Sequence, residues 1–322
     1  MMKRIVVLGG AGLIGSHLCI KLAGEGHDVV CIDMRDIEES PMLAPYWRRH
    51  DIRYINHNIV KPFTIDCDAI FNLASPSFLK HDCAHPVGIL RTNIIGSMNA
   101  LDTARRNKAV TVFASSGDVY GLSGQQPFGE SDAQPNRITT YAESKRAAEA
   151  MHYAYRREYG INCRVARIFS TYGSGCQIED RRVAMRMIVA ALRNRDIVIC
   201  GSGEQQRTFC WAGDIADGLV KLMELPASEP TSVVNLGSSY EVSVRRLAEK
   251  IVTITGSRSR IVHIEARRDD PRRMVPDLSR ARTLLRWTPE TSLGEGLART
   301  VEYVKGVLEH RYAAEPSWVE SY

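Results

Sequence analysis

The sequence predicts an α/β protein: a doubly wound parallel sheet followed by a smaller α/β lobe toward the C-terminus. Three observations carry that expectation. Short apolar runs alternate with helix-length amphipathic stretches from Ile5 to about Phe169. A glycine-rich turn, Gly9-Gly10-Ala11-Gly12-Leu13-Ile14-Gly15, joins the first run to the first helix, and beyond Phe169 the alternation loses its regularity. Strands covered on both faces read as continuous apolar runs, which is what a parallel sheet between two helix layers requires.

Ile5 to Leu8 is the first strand. After the glycine turn comes a helix with Leu13, Ile14, Leu18 and Leu22 apolar, ending near Gly24 and Gly26. Strand, glycine turn, helix is the context of a Rossmann-type dinucleotide fingerprint. Gly9 permits the tight turn, Gly12 lets the backbone approach a pyrophosphate, and Gly15 lets helix and strand pack closely. The helix start at Leu13 and Ile14 offers N–H groups to the phosphates. The second strand, Asp28 to Ile32, ends at Asp33, whose carboxylate can accept from both ribose hydroxyls of an adenosine and repels a 2′-phosphate. That favours NAD over NADP, against which Arg35 is the one opposing feature.

Residues 36 to 53 have no clear period and read as a loop or short helix before a strand at Arg53 to Ile55. Asn58 and Ile59 open a surface turn near the adenine. Ala69 to Ala74 is a buried strand ending at Ser75-Pro76, so Leu73 and Ala74 fall at the cofactor and Ser75 where a covering loop begins. Ile89 to Arg106 is a long helix, and Val110 to Ala114 a strand that stops at Ser115-Ser116-Gly117-Asp118. Ligands of a doubly wound sheet lie outside the carboxyl ends of its strands, which places Ser115, Ser116 and Asp118 at the site.

A Gly/Pro-rich loop, Gly121 to Pro135, leads to the helix Tyr141 to Tyr159. Positions i and i+4 share a helix face, so the Lys145 ammonium can stand beside the Tyr141 phenol and stabilise its phenolate. A tyrosine that ordinarily titrates near ~10 then serves as a base close to neutral pH. The preceding loop is long enough to bring Ser116 near Tyr141. Arg164 to Phe169 is a further strand, leading into Ser170. Helices at 182–193, 214–223, 244–254, 279–285 and 293–308 and strands at 197–199, 233–236 and 261–264 complete the chain. The expected division is a nucleotide-binding domain of residues 1–170 and a substrate lobe of residues 171–322, partly interwoven with the first, with a loosely held tail beyond Tyr312.

Composition narrows the function. The chain has 322 residues, 44% hydrophobic and 25% charged, with a net charge of +5, ordinary values for a soluble globular protein. Its arginines are spread through the C-terminal half (Arg181, Arg182, Arg207, Arg267, Arg268, Arg272, Arg273) and suit an anionic small ligand; nucleic acid would call for a denser basic run with interleaved aromatics. Eight cysteines without C-x-x-C spacing read as reduced core thiols of a cytoplasmic protein, with neither a disulfide frame nor a metal site. The apolar run at the N-terminus is too short for a signal peptide or membrane span.

With the glycine loop, Asp33, Ser116 and Tyr141-x-x-x-Lys145 in order, the chain resembles the extended short-chain dehydrogenases/reductases that modify nucleotide sugars. The resemblance covers about residues 3 to 308. Leu73-Ala74-Ser75-Pro76, Arg91-Thr92-Asn93-Ile94-Ile95-Gly96, Arg164-Val165-Ala166-Arg167-Ile168-Phe169, Glu179-Asp180-Arg181-Arg182-Val183 and Asp269-Asp270-Pro271-Arg272-Arg273 are similar to UDP-glucuronate decarboxylases. The resemblance implies NAD as cofactor, with Asn93 beside it, and a nucleoside diphosphate sugar, UDP-linked, held by Ser75, Ser170, Arg182, Val183, Arg207 and Arg272. It implies that Tyr141 takes the sugar C4-hydroxyl proton while hydride passes to the nicotinamide, with Ser116 and Lys145 assisting. It also implies a homodimer built on the helices at 89–106 and 141–159.

The departures bear on the fate of the sugar once its C4 is oxidised. Asp118 stands where decarboxylases and dehydratases have Glu, Gly117 where dehydratases have Asp, Met274 where decarboxylases have Arg, and Ser170 where the family has Asn. Dehydration is thereby disfavoured. Decarboxylation leads, 4-epimerisation is the alternative, and dehydratase-like or simple dehydrogenase chemistry or a non-catalytic NAD sensor stand behind them.

Overall fold

The computed structural model describes residues 1–76, 85–121, 126–132, 139–229, 233–266 and 273–310. Arg272, expected at the substrate, lies outside the described residues, as do most of the Asp269–Arg273 stretch and the chain beyond 310.

Seven parallel strands form the central sheet: β1 (Arg4–Leu8), β2 (Asp28–Asp33), β3 (Arg53–Asn56), β4 (Ala69–Asn72), β5 (Val110–Ser116), β6 (Cys163–Ile168) and β7 (Val233–Leu236). Their order is β7-β6-β5-β4-β1-β2-β3. Winding runs outward in both directions from the boundary between β1 and β4, so a crevice opens there, at the switch point where such sheets bind ligands. Leu8 is level with Ile32 and with Asn72, and Asn72 with Phe113. The apolar run predicts that β5 stops at Ala114, but the strand continues beyond that level to Ser116, paired with Ile168 of β6. Ser116 is thereby carried above the rim of the sheet.

Because successive side chains point to opposite faces, β1 feeds two cores. Ile5 and Val7 pack with Leu18 and Leu22 of α1 (Leu13–Gly24), joined by Ile215, Leu219 and Leu222. Val6 and Leu8 pack on the other face with Ala100, Leu101 and Ala104 of α2 (Pro86–Asn107). α3 (Thr140–Tyr159) lies beside α2. Its start is set by Thr139, whose hydroxyl accepts from the Ala142 amide at 3.2 Å, and its end by Gly160 in the left-handed conformation.

The second half of the chain does not stand apart from this sheet. β7 supplies its edge strand, and α5 (Ala212–Glu224) covers the face that α1 covers. What remains forms a smaller lobe. There α4 (Val183–Leu192), α6 (Val244–Thr255) and α8 (Leu293–His310) surround a core of Met187, Ile188, Leu247, Ile251, Leu297 and Val304. α7 (Ser279–Leu285) packs Leu285 and Ala281 against the first core. Among the described residues three two-stranded ribbons decorate the lobe, pairing Ile197–Cys200 with Ile261–Ile264, Gln206–Thr208 with Glu241–Ser243, and Thr171–Tyr172 with Cys210–Trp211. Sequence periodicity finds only the first of these, because strands of two or three residues are too short to show a period. Among the described residues no helix is long and apolar enough to cross a membrane.

Candidate active site

A cleft of about 1010 Å³ runs from the glycine turn, across the carboxyl ends of β1, β4 and β5, to the N-terminus of α4. Most of the residues expected at the site line it: Gly9, Gly12, Leu13, Ile14, Gly15, Asp33, Asn58, Ile59, Leu73, Ala74 and Ser75 at one end, and Ser115, Ser116, Asp118, Tyr141, Lys145, Ser170, Arg182, Val183 and Arg207 toward the other.

The glycine end is built for close backbone approach. Gly9 has φ +75°, and a Cβ there would lie 2.7 Å from the Ala74 backbone; a Cβ on Gly15 would lie 2.3 Å from the Gly9 carbonyl oxygen. α1 begins immediately after, with Gly12 accepting from the Ser16 amide at 2.9 Å. The first-turn amides of such a helix have no intrahelical acceptor and face an anion readily. The Asp33 carboxylate accepts from the Ala11 amide at 3.0 Å and the Arg35 amide at 3.1 Å. A carboxylate has about four acceptor positions, so capacity remains for ribose hydroxyls. Arg35 turns its guanidinium onto the Ala11 carbonyl at 3.0 Å, which ties it to the turn. Ser75 Oγ is buried without a partner among the described residues. An orphaned hydroxyl beside a cradle that any Cβ would fill fits a dinucleotide.

At the centre, Ser116 Oγ accepts from the Asp118 amide at 3.1 Å and so starts the short turn Gly117–Tyr120, which presents the exposed Asp118 to the cleft. Lys145 is 2% exposed; its Nζ donates to the Ala114 carbonyl at 2.8 Å and sits 4.8 Å from the centre of the Phe113 ring and 5.7 Å from that of Tyr141. Burial draws the Lys145 ammonium down to about 7, with the charge of Glu149 pulling the other way.

Two expected residues do other work. Asn93 is not among the cleft-lining residues: it is buried in α2, and its amide donates to Ser144 Oγ at 2.7 Å, joining α2 to α3. Ser115 borders the cleft, but its hydroxyl is given to Glu149. Ile59 is buried and packs its side chain against Gly96, where a Cβ would lie 2.4 Å away. Asn58 Oδ1 accepts from the Val60 amide at 3.0 Å and shapes the turn.

The far wall is basic. Arg182 immediately precedes α4 and is held by Asp180, with Nε at 2.9 Å from Oδ2, while Arg207 lies on the ribbon of Gln206–Thr208 and Arg181 and Arg186 line the same wall. Asp180 is kept below the usual carboxylate range because the Arg182 guanidinium outweighs its burial. Sequence reasoning missed Arg186, although it stands four residues after Arg182 and so on the same helix face. It also missed Thr92, Thr139, Gln177 and Phe209, whose approach to the cleft is purely tertiary. Met274 is a lining residue as well, whereas Arg273 pairs with Glu241, its Nε 2.7 Å from the carboxylate.

Known proteins are similar to this chain in sequence and fold. UDP-glucuronic acid decarboxylase 1 of Danio rerio is 39% identical over 320 residues, covering 96% of this chain and 74% of that protein. The structure of UDP-glucose 4-epimerase from Thermotoga maritima, solved with UDP-glucose, superposes with a TM-score of 0.85 at 27% identity, covering 95% of this chain and 99% of that one. The protein MoeE5, solved with UDP-glucuronic acid and NAD, superposes with a TM-score of 0.83 at 28% identity, covering 95% and 100%. The model of the NAD dependent epimerase/dehydratase family matches residues 5–237. The match spans well over half of the sequence, and the chain belongs to that family of NAD-dependent enzymes.

Proposed function

We propose that the protein oxidises C4 of a UDP-linked sugar transiently and that its principal reaction is decarboxylation of UDP-glucuronate. The observation that carries this reading is the convergence of Ser116, Tyr141 and Lys145 between the glycine cradle and a wall of four arginines. NAD, held by the glycine turn and Asp33, accepts and returns a hydride when bound. Tyr141, as phenolate, removes the C4-hydroxyl proton; Ser116 fixes that oxygen by hydrogen bond; and Lys145 stabilises the tyrosine anion electrostatically. Arg207 and the arginines at the start of α4 neutralise the diphosphate. A carboxylate at C5 lies β to the 4-ketone and leaves as CO₂, after which Asp118 is the cleft acid nearest Ser116 in the chain and supplies a proton at C5.

The decarboxylase reading is supported by the identity that runs along nearly the whole chain. A 4-epimerase is the second reading, favoured by Met274 in the cleft wall and by the engagement of Arg273 with Glu241. Incubation with NAD and UDP-glucuronate, followed by mass spectrometry, separates them. Loss of the mass of CO₂ is expected, accelerated in Asp118→Glu and slowed in Asp118→Asn; an isomer of unchanged mass would overturn the decarboxylase reading in favour of the epimerase.

On the same reading the protein is cytoplasmic, in keeping with the seven free cysteines of the described residues, and a homodimer. Val87 and Met98 on α2 and Tyr153 and Tyr159 on α3 are exposed large apolar or aromatic side chains on two adjacent helices. A second copy laid on them completes a four-helix contact. Light scattering after chromatography should give twice the chain mass, and Met98→Arg with Tyr153→Arg should halve it.

A further inference from the structure

Tyr141, Lys145 and Glu149 occupy positions i, i+4 and i+8 of α3, one above the other on a single face. Behind Lys145, the Glu149 carboxylate accepts from Ser115 Oγ and from Arg167, with Nη2 at 2.8 Å and Nε at 3.1 Å. Three consecutive residues at the end of β5 are therefore committed in turn. Ala114 receives the Lys145 ammonium on its carbonyl, Ser115 gives its hydroxyl to Glu149, and Ser116 faces the cleft. Arg167 sits opposite Ser115 in the β5–β6 register. Its Nη1 donates to the Tyr120 hydroxyl at 3.0 Å, which donates to Asn235 Oδ1 of β7 at 2.8 Å. The carboxylate is thus anchored across three strands, with both side chains of the ion pair nearly buried at 7% and 12% exposure.

We propose that Glu149, locked to Arg167, is a positioning residue for the Tyr141–Lys145 pair: it fixes the strand end that receives the Lys145 ammonium and sets its negative charge one helical turn behind it. This rests on the reading of Tyr141 and Lys145 given above. The other titratable or charged groups around this stretch are Tyr141 and His152 on α3, Asp118 and Tyr120 after β5, Arg167 on β6, and Glu130, whose carbonyl accepts from Arg167 and whose carboxylate accepts from the Asn235 amide. His152 is buried, stacked 4.7 Å from Phe113 and drawn down to about 4, so it is neutral at working pH. α2 meets this part of α3 through the neutral Asn93. Among the described residues Glu149 is the carboxylate whose field opposes the burial of Lys145.

The test tracks the Lys145 proton directly, by the pH titration of its Cε resonance in protein labelled with [6-¹³C]lysine, assigned with Lys145→Arg. It needs no substrate, so it stands or falls separately from the proposed reaction. Glu149→Gln keeps the volume and one acceptor oxygen but removes the charge and the second acceptor, and should move the Lys145 midpoint down by about one pH unit. Arg167→Gln leaves the carboxylate uncompensated and should move it up. The double variant, which leaves no unpaired charge if either single variant folds poorly, should place the midpoint between wild type and Glu149→Gln. With UDP-glucuronate and NAD, the alkaline limb of kcat should shift in the same directions. Titrations that coincide with wild type, or a uniform loss of kcat with unmoved limbs, would show the pair to be structural only.

Discussion

Lys145 shows at the scale of one residue how function and stability oppose each other. Its ammonium is needed beside Tyr141, yet it is 2% exposed and burial draws it from 10.5 to about 7. Between those values the unfolded chain binds more protons than the folded one, so stability should rise as pH climbs from about 7 toward 10.5. Below about 7 both states are protonated and the full cost is present. Lys145→Met, which removes the charge and keeps the volume, should abolish turnover, flatten that pH dependence and raise the apparent melting temperature at pH 6. A calorimetric series across pH on the two proteins, beside a turnover assay, checks all three signs. The residue identity was legible from Tyr-x-x-x-Lys; the burial that sets its proton affinity was not, because it depends on Phe113 and Ala114, supplied by β5.

At the scale of the element, the turn between β1 and α1 owes its function to what it lacks. Gly15 passes so close to the Gly9 carbonyl that no side chain fits, and the contact is with backbone, which cannot swing aside. Gly15→Ala should weaken NAD binding at least about tenfold while costing about 1–3 kcal/mol of stability, the usual range for overpacking. Titration of NAD by calorimetry, beside a denaturant melt, separates the two effects. A variant that binds NAD as wild type does would remove the cradle from the account. The same scale explains the misread elements. α1, α2 and α3 were long enough for their period to show, whereas the ribbons at residues 171–172, 206–208 and 210–211 exist only because their partners meet them. Arg207 was legible as a basic residue in a glycine-flanked stretch, but its place on a ribbon facing the cleft was set by pairing with Val242.

Over the whole molecule, the boundary near residue 170 cuts through a shared core. Val234 and Leu236 of β7, with Ile215, Leu219, Leu222 and Trp287, belong to the cluster that also buries Leu18, Cys31 and Phe71. A fragment of residues 1–170 would expose that surface together with the edge of β6, and an uncovered parallel sheet is not stable on its own. The fragment should lack a cooperative melt and bind a hydrophobic dye, whereas the full chain should unfold in one transition by both far- and near-ultraviolet circular dichroism. Cooperative folding of the fragment would establish an independent nucleotide-binding domain.

The sequence alone determined the parallel sheet, the glycine cradle, Asp33 and the Tyr141–Lys145 pair, because each is written in local spacing: apolar runs, φ-permissive glycines and residues one helical turn apart. Tertiary structure decided which groups those residues meet. It gave the Asn93 amide to Ser144 and the Ser115 hydroxyl to Glu149, and brought Arg186 and Met274 into the cleft wall. Such outcomes rest on contacts between residues far apart in the chain, where buried polar groups must find partners that no local pattern specifies.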